Sequence, residues 1–177
     1  MSVCKDCKQP IENTTTDSSN KKLCSSCISL SEHTNDIYIT PMKKEDLELV
    51  LAWRSNPKIY KNSREQSEPL DWENHVSWYE SRDPDRHDFV IHYQGRRVGV
   101  VSISETDEIS IYLGDFSAHG KGIATAALSW ICDRFKHRVP LVAQIHEDNT
   151  SSMRLFESCG FQQHERDGEW KEYYYEL

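Results

Sequence analysis

The 177-residue chain has no apolar run approaching the ~20 residues that a membrane-spanning helix requires. Its first stretch, MSVCKDCKQPIENTTTD, lacks the apolar core of a secretory signal. There is no excess of basic residues. Lys and Arg number 21 against 29 Asp and Glu, a formal charge of −8, which argues against general nucleic-acid binding. Internal repeats are absent apart from a duplicated CxxC, and low complexity is limited to a short Thr/Ser run. These absences predict a cytoplasmic protein with neither a membrane nor a nucleic acid as partner. What remains is one ordinary domain with a small appendage, its 37% hydrophobic and 10% aromatic residues enough for a packed core.

The appendage is marked by cysteine. Four of the six cysteines form two pairs, Cys4-x-x-Cys7 and Cys24-x-x-Cys27, with 16 residues between them. The intervening IENTTTDSSNKK is polar and cannot bury enough apolar surface to fold alone. Four thiolates around one Zn²⁺ would fold it, because metal binding to such a peptide contributes about 10–16 kcal/mol. The spacing matches a short zinc ribbon, and a closed four-cysteine site is structural rather than catalytic. A reduced tail without metal is the alternative. Redox chemistry is disfavoured, since nothing in a polar tail lowers a thiol pKa. Residues 1–30 are therefore expected to form a zinc-ribbon-like segment with structural Zn²⁺ on Cys4, Cys7, Cys24 and Cys27. Residues 31–35 are read as a linker, and residues 36–177 as the main domain. The purpose expected of the segment is to brace the domain, pair two copies as a homodimer, or dock another protein.

Beyond residue 35 the hydrophobic period alternates between two and 3.6. Strands are predicted at 36–42, 89–93, 98–103, 109–113, 141–146, 161–166 and 170–175. Helices are predicted at 45–54, ended by Ser55-Asn-Pro57, at 72–82, capped by Asp71, from Ile123 to Phe135, and at 149–159, closed by Gly160. Residues 58–69 read as irregular. The order βααβββαβαββ implies an α/β (α+β) domain with a mixed central sheet.

One stretch organises the rest. ISIYL, a strand, enters the small-residue loop GDFSAHGKG, which opens directly into the helix IATAALSWICDRF. The first N–H groups of a helix lack intrahelical partners, and its dipole makes that end positive. Gly120 and Gly122 let the backbone approach an anion with no side chain between. A plain strand–helix turn would use glycine too. A Walker-type nucleotide loop is excluded, because GKG lacks the GK[ST] ending.

The loop His119-Gly-Lys-Gly-Ile-Ala124, the order of elements and the later Asn149-Thr-Ser-Ser-Met-Arg-Leu-Phe-Glu-Ser-Cys-Gly-Phe161 together resemble the GNAT acetyltransferase superfamily, over residues 36–177. The resemblance implies a GNAT-like mixed sheet with splayed strands flanked by helices, and acetyl-CoA as cosubstrate. It implies that the cofactor's pantetheine arm lies in the splay along Tyr112 and Leu113. The pyrophosphate would lie on the loop of His119, Gly120, Lys121, Gly122, Ile123 and Ala124, with Asn149, Ser152 and Phe156 lining the rest. The reaction implied is direct acetyl transfer to an amine through a tetrahedral intermediate.

The chain departs from the family pattern at three places. His119 stands where Arg or Gln is usual. Phe156 replaces a Tyr whose hydroxyl protonates the leaving thiolate. Gln144 replaces a Glu found in many amino-terminal acetyltransferases. Catalysis then rests on positioning and a water chain. Glu108 is the first candidate base, with His75 and His146 as rivals, and each has an ordinary structural role available as well.

The acceptor is read from the first half. Leu51-Ala-Trp-Arg-Ser-Asn-Pro57 and His75-x-x-Trp78 resemble the branch that acetylates nucleotide-linked amino-sugars (the pseudaminic-acid pathway type), and less closely the ribosomal-protein amino-terminal acetyltransferases. Trp53 and Trp78 could stack on a base or sugar, or anchor their helices in the core, and Arg54 could meet a phosphate. A small-molecule amine acceptor is expected. The alternatives are an amino-terminal protein acceptor, or an acetyl-CoA-binding module that has lost its chemistry.

Overall fold

The computed structural model of the chain describes residues 36–176 continuously, and before them only four two-residue strands. These are β1 (Ser2–Val3), β2 (Pro10–Ile11), β3 (Thr15–Thr16) and β4 (Lys22–Leu23). β1 pairs antiparallel with β2, and β3 with β4. The expected zinc ligands Cys4, Cys7, Cys24 and Cys27, and the expected linker 31–35, lie outside the described residues.

β5 (Ile37–Pro41), β6 (His87–Tyr93), β7 (Arg96–Ile103) and β8 (Ile109–Leu113) form an antiparallel sheet in that order. The β6–β7 turn is tighter than the sequence suggests. Gln94 and Gly95 both take positive φ (50° and 75°), the handedness that matches strand twist in a two-residue hairpin. β7 therefore starts at Arg96, opposite Tyr93.

Both faces of this sheet are covered, which is why Phe89-Val-Ile reads as an unbroken apolar run. Phe89, Ile91, Val101 and Ile103 pack with Ala127, Leu128 and Ile131 of helix α4 (Ile123–Arg134). Val90 and Val100 face the other way, onto Met42 and onto Leu47 and Val50 of helix α1 (Leu47–Arg54). A short helix α2 (Pro57–Tyr60) interrupts the stretch expected to be irregular. Asn56 caps it by accepting from the Lys58 N–H at 3.0 Å, and Pro57 occupies its first position, where no N–H is needed. Helix α3 (Trp72–Glu80) starts at the predicted cap, Asp71, which accepts from the Asn74 N–H at 2.9 Å.

The second sheet is antiparallel, with β11 (Trp170–Tyr175) between β9 (Leu141–His146) and β10 (Gln162–Asp167). The single mixed sheet expected from the sequence is thus two antiparallel sheets. Among the described residues they meet at one parallel bridge, Glu108 to Val142, where the Val142 N–H donates to the Asp107 carbonyl at 3.0 Å. Beyond it β8 and β9 share no ladder, and the gap opens toward Leu113 and His146.

Helix α5 (Thr150–Ser158) explains the second motif physically. The Asn149 side chain accepts from the Ser152 N–H at 3.2 Å and so caps it. At the other end Gly160 (φ 95°) donates to the Glu157 carbonyl and Phe161 to the Phe156 carbonyl, each at 3.1 Å. That pair of bonds, with the Phe156 and Phe161 rings packed edge-to-face at 4.9 Å, is a Schellman closure. No helix among the described residues is long and apolar enough to cross a membrane.

Candidate functional site

A cleft of about 640 Å³ runs along the gap between the sheets. One half is walled by β8, β9, the glycine loop and α5. The other half is walled by α1, α2, α3 and the loop after α2.

The loop half has the shape that an anion requires. Gly120 and Gly122 both sit at left-handed φ (72° and 75°), and a Cβ built on either would meet nothing within 4 Å. The backbone thus faces open space where the 12-residue helix α4 begins. The residues fit a phosphate group on this geometry. His119, Gly120 and Ala124 line the cleft; Lys121, Gly122 and Ile123 belong to the same turn without lining it. His119 is tied back onto the loop. Its Nε2 lies 3.2 Å from the Leu113 carbonyl and its ring packs edge-to-face on Phe116. Its backbone, rather than its ring, is what it presents to an anion. Tyr112, Leu113, Asn149, Ser152 and Phe156 all line the cleft. Phe156 is also buried in the core and packs on Phe161 in the Schellman closure, roles that use its ring and need no hydroxyl.

The three candidate bases separate clearly. Glu108 lines the cleft at the bridge where the two sheets meet. Burial, reinforced by the Glu65 and Glu172 carboxylates, pushes its carboxyl above the usual range. His75 is only 2% exposed, stacks on Trp78 at 5.4 Å, and lies outside the cleft lining. Burial, aided by the Arg54 charge, lowers its pKa, so it is neutral at neutral pH. His146 also lies outside the lining, at the end of β9, between Asp148 (3.8 Å) and Glu169 (3.6 Å). Gln144 lines the cleft and accepts a 2.9 Å bond from Arg64, which also pairs with Asp167. That contact straps the loop after α2 across to the second sheet.

Of the residues expected to meet the acceptor, Arg54 and Trp78 line the cleft and Trp53 does not. Trp53 lies flat on Gly114, so close that a Cβ there would come within 2.1 Å of the indole. The ring fixes the start of the glycine loop against α1. Sequence reading missed a cluster beside Trp78. Asp88, its side chain 2% exposed, pairs with Arg82 at 2.7 Å and with Arg86 at 3.1 Å. Arg86 and Asp88, two residues apart at the start of β6, were the available signal. Tyr112 was anticipated only for its backbone. Its hydroxyl is buried and without a hydrogen-bond partner among the described residues.

Fold and cleft together place a glycine loop at a helix start and a half-buried carboxylate, Glu108, along one gap between two sheets. The family profile described as "Acetyltransferase (GNAT) domain" matches residues 36–162. The chain belongs to the GNAT acetyltransferase family, whose members are acetyl-CoA-dependent N-acetyltransferases. Over 146 residues it is 41% identical to the uncharacterized protein MJ1062 of Methanocaldococcus jannaschii, covering 76% of this chain and 30% of MJ1062. The chain thus spans less than a third of that relative. A crystallised domain from Methanocaldococcus jannaschii superposes with a TM-score of 0.73 at 39% identity, covering 80% of this chain and 98% of that one. Spermidine N-acetyltransferase from Vibrio cholerae, solved with CoA and spermine, superposes with a TM-score of 0.67 over 80% of this chain and 95% of its own, at 18% identity. The last likeness is one of fold.

Proposed function

We propose that the chain transfers acetyl from acetyl-CoA to the primary amine of a nucleotide-linked amino-sugar. The observation that carries this reading is the second half of the cleft. It is open beyond Glu108 and walled by an indole and a guanidinium, Trp78 and Arg54, whose centres are 5.6 Å apart. Such a wall stacks on a planar base or sugar face and answers a phosphate charge. Acetyl-CoA, when bound, supplies an acyl group activated as a thioester. The amides of residues 120–124 hold its pyrophosphate. Glu108, through a water, takes the proton that the acceptor ammonium must lose. Helix α5 places Asn149 and Ser152 at the cleft wall beside Phe156. The test is acetyl-CoA consumption by the full chain with a UDP-amino-sugar, spermidine and ribosomal-protein amino-terminal peptides as acceptors, alongside thermal shift with acetyl-CoA. Expected are a raised melting temperature with acetyl-CoA and turnover with the UDP-amino-sugar. Turnover confined to spermidine or to peptides would overturn the acceptor class. No shift with acetyl-CoA would overturn the reading as a whole.

We propose also that Cys4, Cys7, Cys24 and Cys27 share one structural Zn²⁺. Strands β1 and β2 precede and follow the first CxxC in the chain, and β4 ends immediately before the second. Short strands flanking CxxC pairs in the chain suit a ribbon. Purified protein is expected to carry one zinc per chain by elemental analysis, and chelation is expected to leave acetyl-CoA affinity unchanged. A metal-free preparation with all four thiols freely titratable, or loss of cofactor binding on chelation, goes against this assignment.

A further inference from the structure

Three guanidiniums surround the Trp78 ring, their central carbons 5.6 Å (Arg54), 5.7 Å (Arg82) and 5.4 Å (Arg86) from its centroid. Among the described residues a single carboxylate, Asp88, serves this group. It takes Arg82 Nη1 at 2.7 Å, and Arg86 Nε and Nη2 at 3.2 and 3.1 Å. Arg82 spends its Nε on the Tyr79 carbonyl at 3.0 Å and does not line the cleft. Arg54 and Arg86 do line it. Arg86 has Nη1 left over from its fork on Asp88. Arg54 has no carboxylate within ion-pairing distance among the described residues, and its contact is the face of Trp78. Positive charge therefore exceeds negative at this wall, which meets the cleft through Arg54 and Arg86.

A second, independent feature points to the same place. Tyr112 lines the cleft from β8 on the face of the sheet that packs toward α1 and α3. Its hydroxyl is buried with no partner among the described residues, under the influence of Arg54 and Asp88. A buried donor left unsatisfied costs about 1–3 kcal/mol, so it calls for a ligand acceptor. A cationic group would satisfy neither this hydroxyl's donor capacity nor the excess of guanidinium.

We propose that Arg54, Arg86 and the Tyr112 hydroxyl form an oxyanion subsite against Trp78, which holds the anionic group of the acceptor while its amine is presented to Glu108. Asp88 and Arg82 are positioning residues, fixing the plane of Arg86. The cleft also holds the Glu65 and Glu108 carboxylates, and Glu108 feels the charges of Arg86 and Arg64. The subsite selects an amine that also bears a phosphoryl or carboxylate group over a polyamine. This inference rests on the N-acetyltransferase reading, with the phosphoryl form matching a nucleotide-linked acceptor.

The test uses the full chain saturated with CoA, so that the glycine loop is occupied. UDP, uridine, L-alanine, alaninamide and spermidine are titrated calorimetrically into the native protein and into Arg54→Met and Arg54→Lys. Arg54 makes no ion pair that folding depends on, and unchanged CoA affinity in each variant checks that the fold and the cofactor reading both stand. Expected is UDP binding that weakens at least tenfold without the phosphates (uridine). It should weaken roughly 10- to 100-fold in Arg54→Met, as loss of a charged hydrogen bond predicts, with part recovered in Arg54→Lys. UDP binding by the native protein should also fall as salt rises. A response of L-alanine over alaninamide to Arg54→Met, without one for UDP, supports the subsite with a carboxylate as its anion. Indifference of both anions to Arg54, or spermidine binding more tightly than UDP, overturns it. Loss of CoA binding by the native protein would instead count against the underlying acetyltransferase reading.

Discussion

Glu108→Gln is expected to lower kcat by about 10²–10⁴-fold, the range for a positioned general base, with acetyl-CoA affinity unchanged. The side chain keeps its shape and its place at the bridge and loses only the ability to take a proton. The native pH–rate profile should fall on the acid side at a pH above the ordinary carboxylate range. Burial first, then the Glu65 and Glu172 carboxylates, raise the Glu108 pKa. The same shift has a stability consequence of opposite sense. Because the folded state holds this proton more tightly than the unfolded chain, stability declines as pH rises from the unfolded pKa through the folded one. At neutral pH Glu108 therefore weighs against folding. Glu108→Gln should melt higher than the native protein at pH 7, and the difference should shrink below pH 4. An enzyme that is slower yet more stable is the signature of a site strained for chemistry. Native-like kcat in Glu108→Gln would place proton removal elsewhere.

The second large effect is at Gly114. A methyl group there would lie 2.1 Å from two atoms of the Trp53 indole, so ring or strand end must move. Gly114→Ala is expected to cost about 1–3 kcal/mol by overpacking. Trp53→Ala, which removes a half-buried indole, should cost about 3 kcal/mol. In the double variant the collision is gone, and the two costs should fall short of additivity by most of the Gly114→Ala penalty. Urea denaturation of the four proteins measures this directly. Equal cost of Gly114→Ala in both backgrounds would mean that the indole is not what the methyl group meets. Because the glycine loop starts here, acetyl-CoA affinity should weaken in Gly114→Ala and recover in part in the double variant.

Sequence patterning made the order of elements legible, because most elements carry their own punctuation. Asp71 caps α3, Gly160 closes α5, and the run of apolar residues in β6 reports burial on both faces. Asn56-Pro57 was equally clear local chemistry for the start of a helix, but with only four residues to follow, α2 carried no period to detect. The loop half of the cleft was legible as a set of neighbours because it is built from contiguous stretches, residues 112–124 and 149–161. The half walled by α1, α2 and α3 was not. Trp53 and Trp78 look alike in sequence, and what separates them is Gly114, far along the chain and pressed against one of them. The cluster of Arg82, Arg86 and Asp88 depends on α3 delivering an arginine to the start of β6. No periodicity encodes that meeting.

Among the described residues, one backbone bridge, Glu108 to Val142, joins the two ladders, a seam closed by a single stitch. The sheets share one apolar core, and Arg138 bonds to Asp107 and to the Ser104 carbonyl near the bridge, but past it the rims of β8 and β9 carry no ladder. A carrier molecule lodged in the gap and bonded to both rims would become the missing stitches. The donor would then be mortar as well as reagent, adding about 2.7 kcal/mol to folding at a hundredfold excess over its dissociation constant. It would draw the two rims together for as long as the carrier, acetylated or free, stays bound.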